Sequence, residues 1–313
     1  YFKDQSDKFF QVLADDFVNA TTGSGIVHLA PAFGEDDYWT CIKNNIISSQ
    51  DIETFCPIDE DGKYTDKIND MVGICVLDAD PVIIKKISDK LVKVQEITHS
   101  YPVCWRTDIP LIYRCVSSIF IKVTELKEEL IENNKKINWI PENIGSGRFH
   151  QWLSSARDWC VSRNRFFGTP IPLWVSDDME EIVCVGSAEE LIKLSGIDIN
   201  INDIHREFVD NITIPSKMGK GVLKRVSPVF DCWFESGAVP YGQHGYPFKN
   251  GDMYKGVDAT CSFVAEGVDQ TRGWFYTLLV ISTATLKMPP FSNVICSGLI
   301  LSETGEKFSK KLG

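Results

Sequence analysis

SFVAEGVDQTRGWFYTLLVISTATLKMPPFSNVIC, running from Ser262 to Cys296, is the stretch that decides the fold. Ser262-Phe263-Val264-Ala265 is strand-like, Asp269 to Leu286 reads as a helix, and Asn293 to Cys296 as a second strand. A strand, a crossover helix and a strand within about 35 residues form a parallel βαβ unit, so the expected class is α/β. In open parallel sheets, ligands bind in the crevice at the carboxyl ends of the strands. Ala265-Glu266-Gly267-Val268-Asp269-Gln270 lies at that point. Gly267 permits close backbone approach. Asp269 is placed to cap the following helix, whose first amides attract anions. Glu266 and Asp269 also offer two carboxylates to a cation such as an amino-acid ammonium. On these residues alone, capping and ligand binding stand side by side. Trp274 reads either as core or as a pocket wall. So does Trp233, in Asp231-Cys232-Trp233-Phe234-Glu235-Ser236-Gly237, after the apolar run Pro228-Val229-Phe230.

Upstream, residues 175 to 225 look like a small insertion. Asp177-Asp178 marks a turn between short strands. Ser187-Ala188-Glu189-Glu190 is a capping box that starts a helix with Leu191, Ile192 and Leu194 on its buried face, and Gly196 ends it. Before the insertion, Tyr113 to Val123 is a mostly apolar strand-like run. Thr124 to Asn134 is a helix, and a second helix carries Phe149, Trp152, Leu153 and Ala156 at helical spacing. Residues 1 to about 98 read as β-rich. Ile26-Val27-His28-Leu29 and Gly73-Ile74-Cys75-Val76-Leu77 are strand-like, Asp59-Glu60-Asp61-Gly62 is a turn, and Ala79-Asp80-Pro81 opens a helix with Val82, Ile83, Ile84 and Ile87 on one face.

The 313 residues suit about two domains of roughly 100–200 residues each. A hydrophobic content of 43% and a charged content of 24% are those of a soluble globular protein. The net charge of -11 argues against broad non-specific nucleic-acid binding, though not against a local basic site. The most apolar run, Trp274 to Leu286, is broken by Thr277, Ser282, Thr283 and Thr285 and is too short to span a bilayer. Ten cysteines are scattered with no C-x-x-C pair, and five histidines are dispersed. That argues against a zinc site and a disulfide framework, and for reduced cytosolic thiols. There is no initiating methionine or signal-peptide pattern, and Tyr1-Phe2-Lys3 reads as the middle of something. The far end, SETGEKFSKKLG, places three lysines among the last seven residues. A solvated tail and a loop that holds a strong anion both fit that pattern.

FDCWFESG, EGVDQTRGWFY, RNRFFGTPIP and GEKFSKK together resemble the class I aminoacyl-tRNA synthetases. TTGSGIVHLAPAFGEDDY resembles the editing domain inserted in the isoleucyl, valyl and leucyl members. The resemblance covers nearly the whole chain, and D-C-W-F-E-S-G-A with E-G-V-D-Q-T-R-G-W-F is specific for the isoleucyl, cytosolic eukaryotic type. It implies the second half of a Rossmann-like nucleotide-binding fold preceded by part of a β-rich editing domain. Residues 1–98 would be editing domain and 99–313 catalytic, with the insertion at about 175–225 and the ATP loop at 306–311.

The resemblance further implies ligation of isoleucine to its tRNA through an adenylate, with ATP and Mg2+, and hydrolytic editing of valyl-tRNA. Glu266, Gly267, Asp269 and Gln270 would line the adenylate site, with Asp269 on the α-amino group. Trp233 and Trp274 would wall the side-chain pocket. Lys307 and Lys310 match the two lysines of the ATP loop, while Phe308 and Lys311 depart from its usual methionine and serine. His28 and Asp37 would serve editing. The family's histidine motif and threonine-rich editing peptide are not in this sequence, so the expected object is a piece of the enzyme with half its active site and, by itself, no activity. Cys104-Trp105-Arg106-Thr107 lacks one cysteine of the C-W-R-C of bacterial relatives, so no structural zinc is expected. Expected partners are isoleucine, ATP, isoleucine tRNA and a larger synthetase assembly, in the cytoplasm and without a membrane. A valyl-type sister enzyme and a non-catalytic tRNA- or partner-binding module derived from a synthetase are the alternatives.

Overall fold

The computed structural model describes residues 1–2, 6–21, 24–48, 51–96, 98–104, 107–197, 203–299, 301, 303 and 305. They form two compact units, Tyr1–Ser117 and Ser118–Gly313.

The second unit is built on the βαβ element. Strands Cys261–Gly267 and Phe291–Ser297 run parallel, and Asn138–Ile140 adds to the far side of Phe291–Ser297, also parallel. Val264, Val294 and Trp139 are register neighbours and all buried. They share one face because side chains alternate along a strand. The crossover helix Trp274–Leu286 packs on that face, with every residue from Phe275 to Thr283 buried. Its buried polar groups are satisfied: Ser282 Oγ donates to the Met288 carbonyl (2.7 Å), and Thr283 Oγ1 accepts from Asn133 Nδ2 (3.0 Å). Helix formation does not begin at Asp269 as the sequence pattern suggests. Val268–Arg272 is a 3-10 turn, the chain kinks at Gly273, and the α-helix starts at Trp274. A β-carbon at position 273 would lie 2.5 Å from Gln270 Oε1 and 3.2 Å from the Trp233 ring, so the kink needs glycine.

The helix expected over Thr124–Asn134 is present as a 3-10 turn, Val123–Leu126, running into helix Lys127–Lys135. The next one is a π-helical turn, Ile144–Phe149, leading into His150–Ser154, with Phe149, Leu153 and Ala156 buried as the spacing indicates. Of the run Tyr113 to Val123, only Phe120–Ile121 forms a strand, antiparallel to Trp159–Cys160. The insertion is a four-stranded antiparallel sheet in the order Ile182–Cys184, Leu173–Val175, Val222–Arg225, Ile214–Pro215. Helix Ala188–Ser195 covers it, packing Leu191 on Trp174, Ile214 and Leu223. Ser187 Oγ accepts from Glu190 N (3.1 Å), and Gly196 closes the helix in the left-handed conformation. The Glu190 carboxylate reaches back to Gly186 N (2.7 Å), one residue beyond its usual capping-box partner.

In the first unit, strand content among the described residues is limited to isolated bridges such as Ile58↔Tyr64 and Lys63↔Cys75. Helices are Glu35–Lys43, Ile52–Phe55 and Asp80–Lys86. Val76–Asp78 is a 3-10 turn, and Ile26 to Leu29 pairs with no neighbour among the described residues. An extended apolar segment becomes a strand only when another chain segment takes its backbone groups. The Asp59 turn is as read, its Oδ1 accepting from Asp61 N and Lys63 N. Residues 107–117 pack in this unit: Ile112 joins Ala32, Cys56 and Ile58, and Cys115 N donates to the Ala32 carbonyl (2.8 Å).

Candidate active site

The carboxyl ends of the parallel strands carry the candidate site. Glu266 and Gly267 close strand Cys261–Gly267 beside Cys296 and Ser297 of the central strand. Asp269 folds back over Gly267: a β-carbon there would sit 2.7 Å from Asp269 Oδ1. The helix cap is Gln270 rather than Asp269. Gln270 Oε1 accepts from Trp274 N (2.9 Å), the first helical amide after the kink. Among the described residues Asp269 accepts a side-chain hydrogen bond from the Gln270 amide (3.2 Å), and its carboxylate is exposed at the end of the sheet. The kink at Gly273 explains the exchange of roles, because it moves the helix start from Asp269 to Trp274.

Both tryptophans are held at the Gly273 kink. Trp274 Nε1 donates to the Ser236 carbonyl (2.9 Å), and the Trp233 ring lies against Gly273. Ser236 and Trp233 both belong to helix Cys232–Gly242, which crosses the crossover helix at Gly237, where a β-carbon would be 3.0 Å from the Thr277 carbonyl. Trp233 remains 39% exposed, consistent with a wall facing a ligand rather than a sealed core. Burial, then Asp231 and Glu235, push the Cys232 thiol up, away from the thiolate form. Tyr276, pushed up to about 12 by burial, is a core residue of the helix.

In the first unit, His28 lines an apolar cavity of 820 Å³ together with Phe9, Phe17, Ile26, Leu29 and Ile47. Asp37, in the first turn of helix Glu35–Lys43, does not line that cavity. Its Oδ2 accepts from Ala30 N (2.8 Å), two residues beyond His28, across a turn where Gly34 lets the carboxylate approach. Lys307 and Lys310 lie outside the described residues, as do Trp105 and Arg106. No group of three or more His, Cys, Asp or Glu side chains placed to hold a metal occurs among the described residues.

The sequence profile of the family described as "tRNA synthetases class I (I, L, M and V)" matches residues 18–313. The chain belongs to this family. Proteins named "Isoleucine--tRNA ligase, cytoplasmic" are 54% identical in Caenorhabditis elegans (96% of this chain, 26% of that protein) and 52% identical in Arabidopsis thaliana (100% and 26%). A bacterial "Isoleucine--tRNA ligase", from Bdellovibrio bacteriovorus, is 50% identical over 100% of this chain and 29% of its own length. The chain therefore spans about a quarter of the length of the curated relatives it matches.

Within this class I synthetase chain, residues that sequence reading did not single out hold the candidate site in place. Asp231 caps helix Cys232–Gly242 and also accepts from Trp159 Nε1 (3.1 Å) and Arg163 NH2 (2.7 Å). Glu235 Oε1 accepts from Thr169 N (3.1 Å), tying the helix to the Gly168–Pro172 stretch. Arg148 Nε donates to Thr271 Oγ1 (3.1 Å) and steadies the turn behind Asp269. An aspartate directly before a helical run was the available signal for Asp231. The other two partners join segments far apart in sequence and left none.

Proposed function

We propose that this chain is part of a cytoplasmic isoleucine--tRNA ligase that activates isoleucine with ATP and transfers it to tRNA. The isoleucine carboxylate attacks the α-phosphorus of ATP, forming the adenylate and expelling pyrophosphate. The terminal ribose hydroxyl of tRNA then attacks the adenylate carbonyl carbon, giving the ester and releasing AMP. Mg2+ arrives with ATP as part of the substrate. What supports the reading most is that Trp233 and Trp274 are both held at the Gly273 kink, near the exposed Asp269 carboxylate at the carboxyl ends of parallel strands. An ammonium on Asp269 would direct an aliphatic side chain between the two indoles. Glu266, Gly267 and Gln270 complete that edge: glycine allows the adenylate close to the backbone, and Gln270 holds the helix start that faces it. Lys307 and Lys310 would neutralise the charge on departing pyrophosphate, an interaction strongest in the transition state.

An apolar pocket separates isoleucine from valine by only about 1–3 kcal/mol, a limit for which isoleucyl synthetases are themselves the standard illustration. Hydrolytic editing in the first unit is the remedy, with Asp37 on the amino group of misattached valine and His28 in the cavity wall excluding isoleucine. In this reading the first unit serves editing, and the second carries the catalytic fold and its insertion. A larger synthetase assembly is a further partner.

The test is ATP–pyrophosphate exchange by the full-length protein with isoleucine and with valine. Exchange strongly favouring isoleucine is expected. Preference for valine would make it a valyl-type enzyme, and no exchange with either would leave a binding module derived from a synthetase.

A further inference from the structure

We infer that Asp231 sets the selectivity of the amino-acid pocket without touching the substrate, as the residue that positions both tryptophan walls. The inference rests on the proposed function. Asp231 is only 3% exposed, and its carboxylate ties the helix start to the 159–163 stretch. Oδ1 accepts from Trp233 N (3.3 Å) at the start of helix Cys232–Gly242. Oδ2 accepts from Trp159 Nε1 (3.1 Å) and from Arg163 NH2 (2.7 Å). The Asp231 amide donates to the Val161 carbonyl (2.7 Å), so the residue is held from both ends.

An ordinary N-cap needs one acceptor oxygen, which Ser, Thr, Asn or Asp supplies equally well. The second oxygen is what distinguishes this position. Two donors from the 159–163 stretch converge on it, and only a carboxylate presents acceptors at both oxygens with no proton of its own. Asparagine would keep the cap and turn an N–H2 group towards Trp159 and Arg163, or flip and lose the cap.

The geometry carries this fixation to the pocket. Two residues after Asp231 comes Trp233, whose ring rests on Gly273. One turn further, the Ser236 carbonyl takes the Trp274 indole N–H (2.9 Å). A small shift of this helix start therefore moves one wall directly and releases the hydrogen bond that orients the other. Asp269 and Gln270 sit on the turn before the kink, which Arg148 holds through Thr271 and which therefore has an anchor outside helix Cys232–Gly242. The expected signature is a pocket that loses its shape while nucleotide binding is kept.

The experiment uses the full-length protein and compares wild type, Asp231→Asn and Trp159→Phe in pyrophosphate exchange, varying isoleucine, valine and ATP. For Asp231→Asn the KM for isoleucine should rise about tenfold, the low end of what one methylene contact is worth in an apolar pocket. Preference for isoleucine over valine should fall, and the KM for ATP should stay the same. Trp159→Phe keeps the cap and the Arg163 contact and removes one donor, so it should move the same two quantities less far. If Asp231→Asn does not fold, Trp159→Phe alone decides. A parallel rise in the KM for ATP would mark Asp231 as a general support of the fold and overturn the inference. So would unchanged selectivity in both variants. Wild-type protein without isoleucine-dependent exchange would instead overturn the ligase reading itself.

Discussion

One carboxylate oxygen of Asp37 is already engaged by its own chain, where it accepts from Ala30 N (2.8 Å). Removing the side chain would therefore disturb the turn after His28 as well as any ligand contact. Asparagine separates the two roles, because its carbonyl oxygen can keep the Ala30 bond while the charge is lost. In the full-length protein, Asp37→Asn should slow deacylation of valyl-tRNA and leave isoleucine activation intact. A hydrogen bond to a charged group contributes about 1.5–3 kcal/mol, so the expected loss is roughly 10- to 150-fold. Equal loss of both activities would count against an editing role. At this scale, residue type and position were readable while partnership was not. Glu266, Gly267, Asp269 and Gln270 could be placed at a strand end from pattern alone. Which of Asp269 and Gln270 bonds the first helical amide could not, because that depends on a kink at Gly273, which packs against the Trp233 ring from 40 residues earlier.

Helix crossings and sheets carry the next set of constraints. Gly237 lies where helix Cys232–Gly242 meets Trp274–Leu286, and an added β-carbon would be 2.8 Å from Ile281 Cδ1 and 3.0 Å from the Thr277 carbonyl. A side-chain tip can rotate away, but a backbone carbonyl cannot. Gly237→Ala should cost about 1–3 kcal/mol of stability, read by denaturant unfolding, and an unaltered midpoint would refute the close crossing. The insertion makes a pH prediction. Hydrogen bonding by Ser216 Oγ, with Lys217 N and Met218 N, holds Glu181 below the usual carboxylate range. Burial would push Asp210 up, but bonds from Arg225 and Arg206 outweigh it and hold it down. Depressed carboxylates stabilise the fold above their unfolded pKa, about 4, and lose that contribution as pH falls through the lower folded values. Glutamine imitates the protonated state, so in calorimetric scans the gap between wild type and Glu181→Gln should be widest above about pH 5 and narrow below 4. A gap independent of pH would show that the charge of Glu181 does not hold the loop. The capping box and the buried crossover helix were legible because both are local signals, a serine three residues before a glutamate and a predominantly apolar run. The strand expected over Tyr113 to Val123 shrank to Phe120–Ile121 because a strand needs a partner, and Trp159–Cys160 offers only two residues of ladder.

Over the whole molecule, what the chain leaves uncovered matters as much as what it buries. Parallel sheets are ordinarily covered on both faces. Here one face packs on the crossover helix, and the other presents Phe263 (56% exposed), Ile140 (49%) and Ile295 (44%), with Ile140 and Ile295 direct register neighbours. Strand Cys261–Gly267 also stands at an edge of the sheet. A near-continuous apolar strand announces two-sided burial in the sequence, whereas the element that covers each face is set by distant parts of the fold. The same holds for the first unit, where segments patterned as strands line an apolar cavity without forming a ladder among the described residues. Apolar faces and open edges of this kind drive association. Residues 1–313, purified alone, should therefore self-associate with rising concentration in analytical ultracentrifugation, and Phe263→Lys should weaken that association without unfolding the chain. The same sample should neither support isoleucine-dependent pyrophosphate exchange nor deacylate valyl-tRNA. Its crevice is furnished by the Glu266–Gln270 turn and the two tryptophans, and the histidine motif that resemblance assigns to nucleotide binding is not in the sequence. Substantial turnover from a monodisperse monomer would show that the walls present here suffice and that both active sites have been placed wrongly.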